Sequence, residues 1–318
     1  MQYRIYDLVI QSDQPLPELA QCEAQHTDLQ IQWLPAVSQL RAVSTWRHHW
    51  TEADETQLSI AKTRTGWLFR FPEQSDFAIN AGGDQITVTA RKDTDASTLR
   101  HQLLDQVLPR LMSLRGRISL HASAVQSPHG SLLFVGQSGA GKSSIGTYLH
   151  QQGWPLLCDD SVILQHTHDT IEVLPAYPGA RLYPDSPIAA RLAIRPSQPA
   201  IASSGKLRFA LGASNNGQAQ ALAHILLLPG TPASQATTPL LNPVTGTEAV
   251  IALLDASFQF DVSDHDHMSR YFGALGSLLN QGVAVSRLAY RHDAACLREL
   301  EIALTAPGQA APSGQVSA

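Results

Sequence analysis

Residues 131–164, SLLFVGQSGAGKSSIGTYLHQQGWPLLCDDSVIL, decide how the chain is organised. The apolar run 132–135 predicts a strand, and the apolar spacing of 145–149 predicts a helix that ends at Gly153. Between them lies the phosphate-binding pattern G-x-x-x-x-G-K-[ST], which is matched at every fixed position. The loop consists of Gly136, Gln137, Ser138, Gly139, Ala140, Gly141, Lys142 and Ser143. The sequence therefore predicts a strand–loop–helix unit that binds nucleotide phosphates.

The chemistry of this loop follows from its backbone. Glycines let successive N–H groups surround a phosphate, and the positive end of the following helix adds to the field. We expect Lys142 to reach the β- and γ-phosphates of ATP and the Ser143 hydroxyl to bind Mg²⁺. Ser144, the next residue, is included in the predicted nucleotide site. The alternative is a chance match in a loop rich in glycine and serine.

Two adjacent acids follow the next predicted strand, residues 156–158. A strand, a helix and a strand of this length form one βαβ unit, whose right-handed crossover puts both strand C-termini at the same edge of the sheet. Asp159 and Asp160 should therefore face the γ-phosphate and its metal. We assign Asp159 as the general base for an attacking hydroxyl and Asp160 to Mg²⁺ or to orientation, although the two roles can be exchanged. The alternative is a solvated pair of acids at a strand end.

Three segments, LHASAV, GQSGAGKSS and LLCDDSVIL, resemble the catalytic domain of HPr kinase/phosphorylase. They are still more similar to the HPr-kinase-related proteins that phosphorylate serine on lasso-peptide precursors. Further stretches that look like that subgroup are YRIYDLVIQSDQPLPEL, RGRISLHASAV, AYPGARLYPDS and residues 205–208. The resemblance implies an α/β P-loop core of the phosphoenolpyruvate-carboxykinase-like type, ATP and Mg²⁺ as cofactors, and a peptide serine as acceptor.

The sequence also departs from HPr kinases. Glu commonly follows the Lys-Ser of their loop, and here that position is Ser144. The glycine-rich signature that HPr kinase/phosphorylases carry downstream of the acids has no counterpart that we recognise. HPr as a substrate and the phosphorylase reaction are therefore not expected, whereas kinase chemistry is.

Four further polar side chains are candidates for the site. His121 lies in a predicted strand, 118–125, and is either a hydrogen-bonded core residue or, by the resemblance, a neighbour of the phosphates. Arg181 follows a rigid Tyr-Pro-Gly segment and either binds an anion or is a surface arginine. Lys206 and Arg208 alternate on one predicted strand face, after a Pro-, Ala- and Ser-rich segment, 196–204. They suit either a lid over the phosphate or a solvated strand face.

Two clusters of His and Asp have metal-ligand character. His166-Thr167-His168-Asp169 is more typical of a polar turn between two strands. In 261–267, Ser263 or Asp264 suits the N-cap of a helix running to Leu279, and we favour the cap over a metal site.

Domain organisation is predicted from segment character. Residues 1–97 form alternating strands, typical of an antiparallel accessory or docking domain, and 98–305 form the catalytic domain, which opens with a helix over 98–112. Residues 230–246 are expected to be loop, and residues 306–318 a disordered tail.

Composition limits the partners. The 318 residues carry a net charge of −5 without a basic run, so a nucleic-acid partner is not expected. No apolar stretch reaches the roughly 18 residues of a membrane span. Three widely spaced cysteines, Cys22, Cys158 and Cys296, favour reduced thiols and a cytoplasmic location. A homo-oligomer is compatible with the resemblance.

The sequence thus predicts an ATP- and Mg²⁺-dependent kinase that phosphorylates a serine near the C-terminus of a peptide, by resemblance a lasso-peptide precursor. Two alternatives stay open. One is a kinase for a hydroxyl-bearing metabolite or a carrier protein. The other is a nucleotide-binding regulator without transfer activity, which would keep the loop but need no general base, so the Asp159-Asp160 pair argues against it.

Overall fold

The computed structural model describes residues 1–52, 54–168, 170–177, 179–186, 188–189, 198–199, 206–211, 217–230, 238–291 and 293–305. Three predictions fall largely or wholly outside the described residues: the 196–204 segment apart from 198–199, Asp169 of the polar turn, and the tail from residue 306.

Nine strands from the first 90 residues form one sheet, in the order β3-β1-β2-β4-β9-β8-β7-β6-β5. They are β1 (Gln2–Ile5), β2 (Leu8–Ser12), β3 (Ala20–Gln21), β4 (Leu29–Trp33), β5 (His48–Glu52), β6 (Glu55–Lys62), β7 (Gly66–Phe71), β8 (Ser75–Asn80) and β9 (Gln85–Ala90). The sheet is mixed, and the prediction of an antiparallel sheet is wrong on this point. The reason is that β4 pairs in parallel with both β2 and β9, which it reaches by long connections rather than by hairpins.

A continuous helix follows this sheet. It consists of α1 (Ala96–Gln102), a π-helical segment (Leu103–Val107) and α2 (Leu108–Leu114), which confirms the predicted helix and extends it at both ends. Asp95 caps the start, since its side chain accepts the N–H of Thr98 at 2.9 Å. The buried leucines of this helix pack in the same core as the first sheet.

A second sheet has the order β10-β14-β15-β19-β12-β11-β13, with β20 and β21 added beside β19. Its strands are β10 (Ile118–Leu120), β11 (Ala122–Ser127), β12 (Gly130–Val135), β13 (Leu156–Cys158), β14 (Val162–His166), β15 (Ile171–Leu174), β19 (Gln220–Leu227), β20 (Leu240–Pro243) and β21 (Ala284–Ala289). Because β11 lies between β12 and β13 and is antiparallel to both, those two strands run in the same direction. Their C-termini therefore share one edge, as predicted, although the strands are not direct neighbours.

Helices cover both faces of the second sheet. They are α3 (Lys142–Gln151), α4 (Gly246–Asp255), α5 (His265–Asn280) and α6 (Ala294–Thr305). Residues of α3 and α6 share one core with the sheet, and residues of α4 and α5 share the other. A small antiparallel sheet consists of β16 (Gly179–Leu182), β18 (Leu207–Ala210) and β17 (Gln198–Pro199). It contributes residues to the same hydrophobic core as α3 and α6. Among the described helices, none combines the length and the apolar character that crossing a membrane requires. The fold is mixed α/β.

The two sheets share apolar contacts. Phe260, from the chain that follows α4, packs edge-on against Trp67 and Phe69 of β7 at ring-centroid distances of 4.9 and 5.1 Å. Oη of Tyr6 lies 2.9 Å from Oγ of Ser161, directly after the two acids, and both groups are buried. The first sheet therefore packs onto the edge that carries Asp159 and Asp160. The division of the chain at residue 97 stays a prediction.

Two local predictions are wrong. The strand expected over 118–125 breaks at His121, because β10 pairs with β14 whereas β11 pairs with β12 and β13, and the chain changes neighbours between them. The N–H of His121 donates instead to the carbonyl of Ala256 at 2.7 Å. The 230–246 segment, expected to be loop, contains β20 because its residues 240–243 add to the sheet beside β21.

The N-cap predicted at the 261–267 cluster is confirmed. Asp264 precedes α5, and its side chain accepts the N–H of His267 at 2.9 Å. The polar turn lies between the paired strands β14 and β15, as expected. In the part of the chain that the structure describes, no group of three or more His, Cys, Asp and Glu is arranged to hold a metal ion.

Candidate active site

The predicted phosphate-binding loop connects β12 to α3. Gly139 and Gly141 have φ values of +85° and +94°, which L side chains rarely adopt. Gly136 is required for a different reason, because a Cβ there would lie 3.0 Å from Cβ of Leu228 and 3.2 Å from its carbonyl oxygen. The crest, residues 137–139, is exposed. No side chain caps the start of α3, so the first N–H groups of this helix remain for an anion.

Packing fixes the second half of the loop. Ala140 is buried, and its carbonyl accepts a hydrogen bond from Oη of Tyr290 at 3.1 Å. Ser144 lies half-buried in the first turn of α3. The loop is thus anchored behind its crest while the crest itself stays open.

Lys142 lies beneath this crest. It is 5% exposed, and its Nζ donates to the carbonyl oxygens of Gly136 at 2.7 Å and Gln137 at 2.9 Å. Burial lowers the pKa of Lys142 to about 8, against the opposing effect of Asp160. The ammonium group is therefore held by neutral carbonyls that phosphate oxygens can replace.

The two adjacent acids at the end of β13 both contact Arg181, the first through its main chain and the second through its side chain. Oδ2 of Asp159 accepts from the backbone N–H of Arg181 at 3.2 Å, and Oδ2 of Asp160 accepts from its Nη1 at 2.6 Å. The backbone makes this possible because Asp160 has a left-handed conformation with φ of +66°, which Asp adopts more readily than most residues. Both acids are buried.

Their environments differ in charge. Burial, followed by the charge of Asp160, raises the pKa of Asp159 to about 6. Burial acts in the same direction on Asp160, but Arg181, followed by His121, outweighs it and holds the pKa of that carboxyl well below its usual range. Asp160 is therefore the acid that stays ionised to the lower pH.

Ser143 and Asp159 together fit a divalent cation. The Ser143 hydroxyl faces the Asp159 carboxylate closely enough to oppose the rise in its pKa. Oδ1 of Asp159 is buried without a hydrogen-bond partner, and such an oxygen is costly unless a cation or a donor reaches it. A hydroxyl and a carboxylate oxygen are ligands that Mg²⁺ accepts beside phosphate oxygens and water. Ser143 thus faces the carboxylate of Asp159, whereas the sequence predicted Asp160 as its partner in binding Mg²⁺.

His121 lies next to the acids. Its Nδ1 is 2.9 Å from the carbonyl oxygen of Asp160, and because a carbonyl only accepts, Nδ1 carries the proton and Nε2 the lone pair. Burial, followed by the charge of Lys142, lowers the pKa of His121 to about 4, so the ring is neutral near pH 7. The ring is thus hydrogen-bonded and is a neighbour of the acids, and its place beside the phosphates stays a prediction.

Sequence analysis missed Asp105, which is fully buried in the π-helical segment. Its Oδ2 lies 2.7 Å from Nδ1 of His101, 3.9 Å from Nη1 of Arg181 and 3.8 Å from Nη2 of Arg208, and Tyr177 donates to its other oxygen. Burial acts to raise the pKa of Asp105, but the hydrogen bond and charge of His101, together with the charges of Arg208 and Arg181, outweigh it and lower the pKa. The spacing of His101 and Asp105, four residues apart on a predicted helix, was the available signal.

The two cations predicted on one strand face have different surroundings. Arg208 lies 3.1 Å from Glu18 of the first sheet's connecting chain and stacks on Tyr177 at 4.6 Å. Lys206 lies over Tyr183 at 5.3 Å, and its charge lowers the pKa of both His121 and Lys142. Lys206 is thus the cation on the side of the loop. Most of the predicted lid segment lies outside the described residues.

Comparison with known proteins gives little. No family model matches the chain, and no curated protein matches it. Among solved structures, the HPr(Ser) kinase/phosphatase from Coxiella burnetii is similar with 14% identity and a TM-score of 0.26, over 52% of this chain and 99% of that chain. A likeness with this score carries no argument about function.

Proposed function

We propose that the protein is an ATP- and Mg²⁺-dependent kinase that transfers the γ-phosphoryl group to a serine hydroxyl of a peptide. One observation carries the proposal: Lys142 and two buried acids converge behind an open glycine loop and an uncapped helix start. Phosphoryl transfer needs these parts, because its catalysis is mainly positioning and charge stabilisation. A regulator that only binds nucleotide needs no carboxylate to accept a proton from an acceptor hydroxyl.

Nucleotide binding follows from the loop. The backbone N–H groups of 136–143 and the start of α3 would bind the β- and γ-phosphates. Lys142 would exchange the carbonyls of Gly136 and Gln137 for phosphate oxygens. Ser143 and Asp159 would hold Mg²⁺, which neutralises charge on the phosphates when bound.

The acceptor hydroxyl would meet Asp160. The oxygen of the acceptor hydroxyl forms a bond to the γ-phosphorus, and the bond from that phosphorus to the β,γ-bridging oxygen breaks. The hydroxyl proton passes to the carboxylate of Asp160. The sequence assigned the base to Asp159 and left the exchange open. The contacts favour the exchange, since Asp159 faces Ser143 while Arg181 keeps Asp160 ionised. His121 would hold the main chain of Asp160 in place.

The acceptor class rests on the resemblance. LHASAV, GQSGAGKSS and LLCDDSVIL are similar to the kinases that act on serine near the C-terminus of lasso-peptide precursors. A short peptide, a protease and a cyclase encoded beside this chain would support that acceptor over a metabolite.

The test is the intact mass of such a peptide after incubation with Mg·ATP. Wild type should add the mass of one phosphoryl group or more, and Lys142→Ala and Asp160→Asn should add none in the same time. Arg298→Gln removes a charge from an exposed position on α6 and should match wild type. Tight Mg·ATP binding without phosphorylation of any serine peptide would contradict the proposal and favour a regulator.

A further inference from the structure

Arg110 is a buried cation without a carboxylate partner among the described residues. It lies on α2 and is 7% exposed. Its Nη1 donates to the carbonyl and to Oε1 of Gln106, one turn earlier, at 3.0 Å each. Its Nε is buried and has no acceptor within the part of the chain that the structure describes, and burial lowers the pKa of Arg110 to about 9. A charge buried in this way is unfavourable for folding unless an anion reaches it.

Aromatic side chains from both parts of the chain flank this guanidinium. Its Cζ lies 5.0 Å from the ring of Trp50 on β5 and 5.2 Å from the ring of Phe258, which follows α4. Aromatic faces attract a cation but do not satisfy its N–H groups. Asp261, whose charge acts to raise the pKa of nearby His48, is already paired with Arg47 at 3.7 Å. Among the described residues, Nε of Arg110 therefore remains for a ligand.

The position of Arg110 relates it to the phosphoryl-transfer site. The Phe258 ring, which contacts Arg110, lies 5.8 Å from the ring of His121, whose Nδ1 donates to the carbonyl of Asp160. Two side chains, Phe258 and His121, thus lie between Arg110 and the main chain of the catalytic acid. A short extended segment of peptide, at about 3.3–3.6 Å per residue, can span these two side chains.

We propose that Arg110, between Trp50 and Phe258, is the subsite for a carboxylate of the acceptor. The guanidinium fork matches the planar shape of a carboxylate, and it binds more strongly where water is excluded. The subsite rests on the proposed kinase function and narrows it to acceptors with a carboxylate close in sequence to the serine. The carboxylate can come from the C-terminus of a peptide or from an acidic side chain, and the experiment separates these two sources.

Binding of three short peptides tests the subsite. N-acetyl-Ala-Ser-Ala is used as the free acid and as the C-terminal amide, and N-acetyl-Ala-Ser-Asp is used as the amide. Each is titrated calorimetrically into wild type saturated with Mg²⁺ and a non-hydrolysable ATP analogue. The free acid should bind at least tenfold more tightly than its amide, and tight binding of the Asp-containing amide would identify the side chain as a source that also suffices. Equal affinity for the free acid and the two amides, or no saturable binding of any, overturns the subsite.

Variants then assign the preference to Arg110. Arg110→Gln should remove the difference between the acid and the amides, and Arg298→Gln should keep it. Arg110→Met should retain or raise the melting temperature while losing carboxylate binding, because it replaces an unpaired buried charge with an apolar chain of similar length. A lower melting temperature with unchanged carboxylate binding would show that Arg110 only supports the fold, and would overturn the proposal.

Failure of the subsite can be distinguished from failure of the kinase proposal. Lys142→Ala, measured without nucleotide, should keep the carboxylate preference while losing Mg·ATP. If wild type binds no Mg·ATP, the proposed function fails, but the comparison of acid and amide still decides the role of Arg110. If wild type phosphorylates free acid and amides equally well, the kinase proposal stands and the subsite fails.

Discussion

Oδ2 of Asp160 lies 2.6 Å from Nη1 of Arg181, and the two side chains retain only 8% and 12% of their exposure. The same guanidinium nitrogen is 3.9 Å from Asp105, which in turn is 3.8 Å from Arg208. Arg208 binds Glu18 of the N-terminal part at 3.1 Å. A buried chain of alternating charges therefore connects the proposed catalytic acid to the first sheet.

Loss of the buried pair should be far more costly than loss of an equally short surface pair. Arg181→Gln leaves Asp160 and Asp105 without their shared cation, so we expect a loss of about 3–5 kcal/mol in the free energy of unfolding. Arg287 and Glu248 form the matched control, since they are also 2.6 Å apart but 54% and 57% exposed. Arg287→Gln should cost less than about 1 kcal/mol. Urea unfolding of the three proteins measures both values, and similar losses would show that the network does not stabilise the fold.

The two acids should respond differently to Mg²⁺. If Asp159 holds the metal with Ser143, Asp159→Asn should raise the Mg²⁺ concentration for half-maximal activity by about tenfold or more. If Asp160 accepts the proton, Asp160→Asn should lower kcat by about 10²–10⁴ without changing that concentration. A Mg²⁺ titration of phosphorylation rate measures both effects. The reverse pattern would restore the assignment made from the sequence.

Local patterns predicted the elements whose signals lie within a few residues. The strand and helix around the glycine loop, the helix after residue 95 and the cap at Asp264 all depend on short-range periodicity or on one hydrogen bond. Asp105 and Arg110 could not be assigned in this way. Within the helix they resemble ordinary polar positions, and their burial comes from Tyr177, Trp50 and Phe258, which are distant in sequence.

The break at His121 has a related cause. Its apolar neighbours predict one strand, but pairing with different partners on either side divides it into β10 and β11. Strand pairing between distant segments is not encoded in the pattern of one strand. The parallel neighbours of β4 were missed for the same reason.

Acid should remove the contribution of the first helix cap. Burial acts to raise the pKa of Asp95, but the hydrogen bonds from Ser97 and Thr98 lower it to about 2 from an ordinary 3.8. Because the folded-state pKa is the lower one, the stabilisation is present above about pH 4 and is lost as the pH falls through 2. Asp95→Ala should cost about 1 kcal/mol near neutral pH, mostly through the cap hydrogen bond, since the side chain is exposed. Urea unfolding at decreasing pH measures the difference from wild type, and a difference that grows in acid would contradict this account.

Alanine variants of two glycines can distinguish the effect of backbone strain on stability from an effect on nucleotide binding. Gly139 in the loop and Gly153 after α3 have φ values of +85° and +93°, and a Cβ on either would meet no atom within 4 Å. Alanine at each position should therefore cost a similar amount of stability, about 1–2 kcal/mol, from the left-handed backbone alone. Only Gly139→Ala should also weaken Mg·ATP binding, by about tenfold, because a change of loop conformation there misdirects the N–H groups that would bind phosphate. Unfolding curves first establish whether the two variants have similar stability. Calorimetric titration of Mg·ATP into both variants then measures the difference in ATP affinity. Equal ATP affinity in the two variants would place the nucleotide elsewhere than this loop.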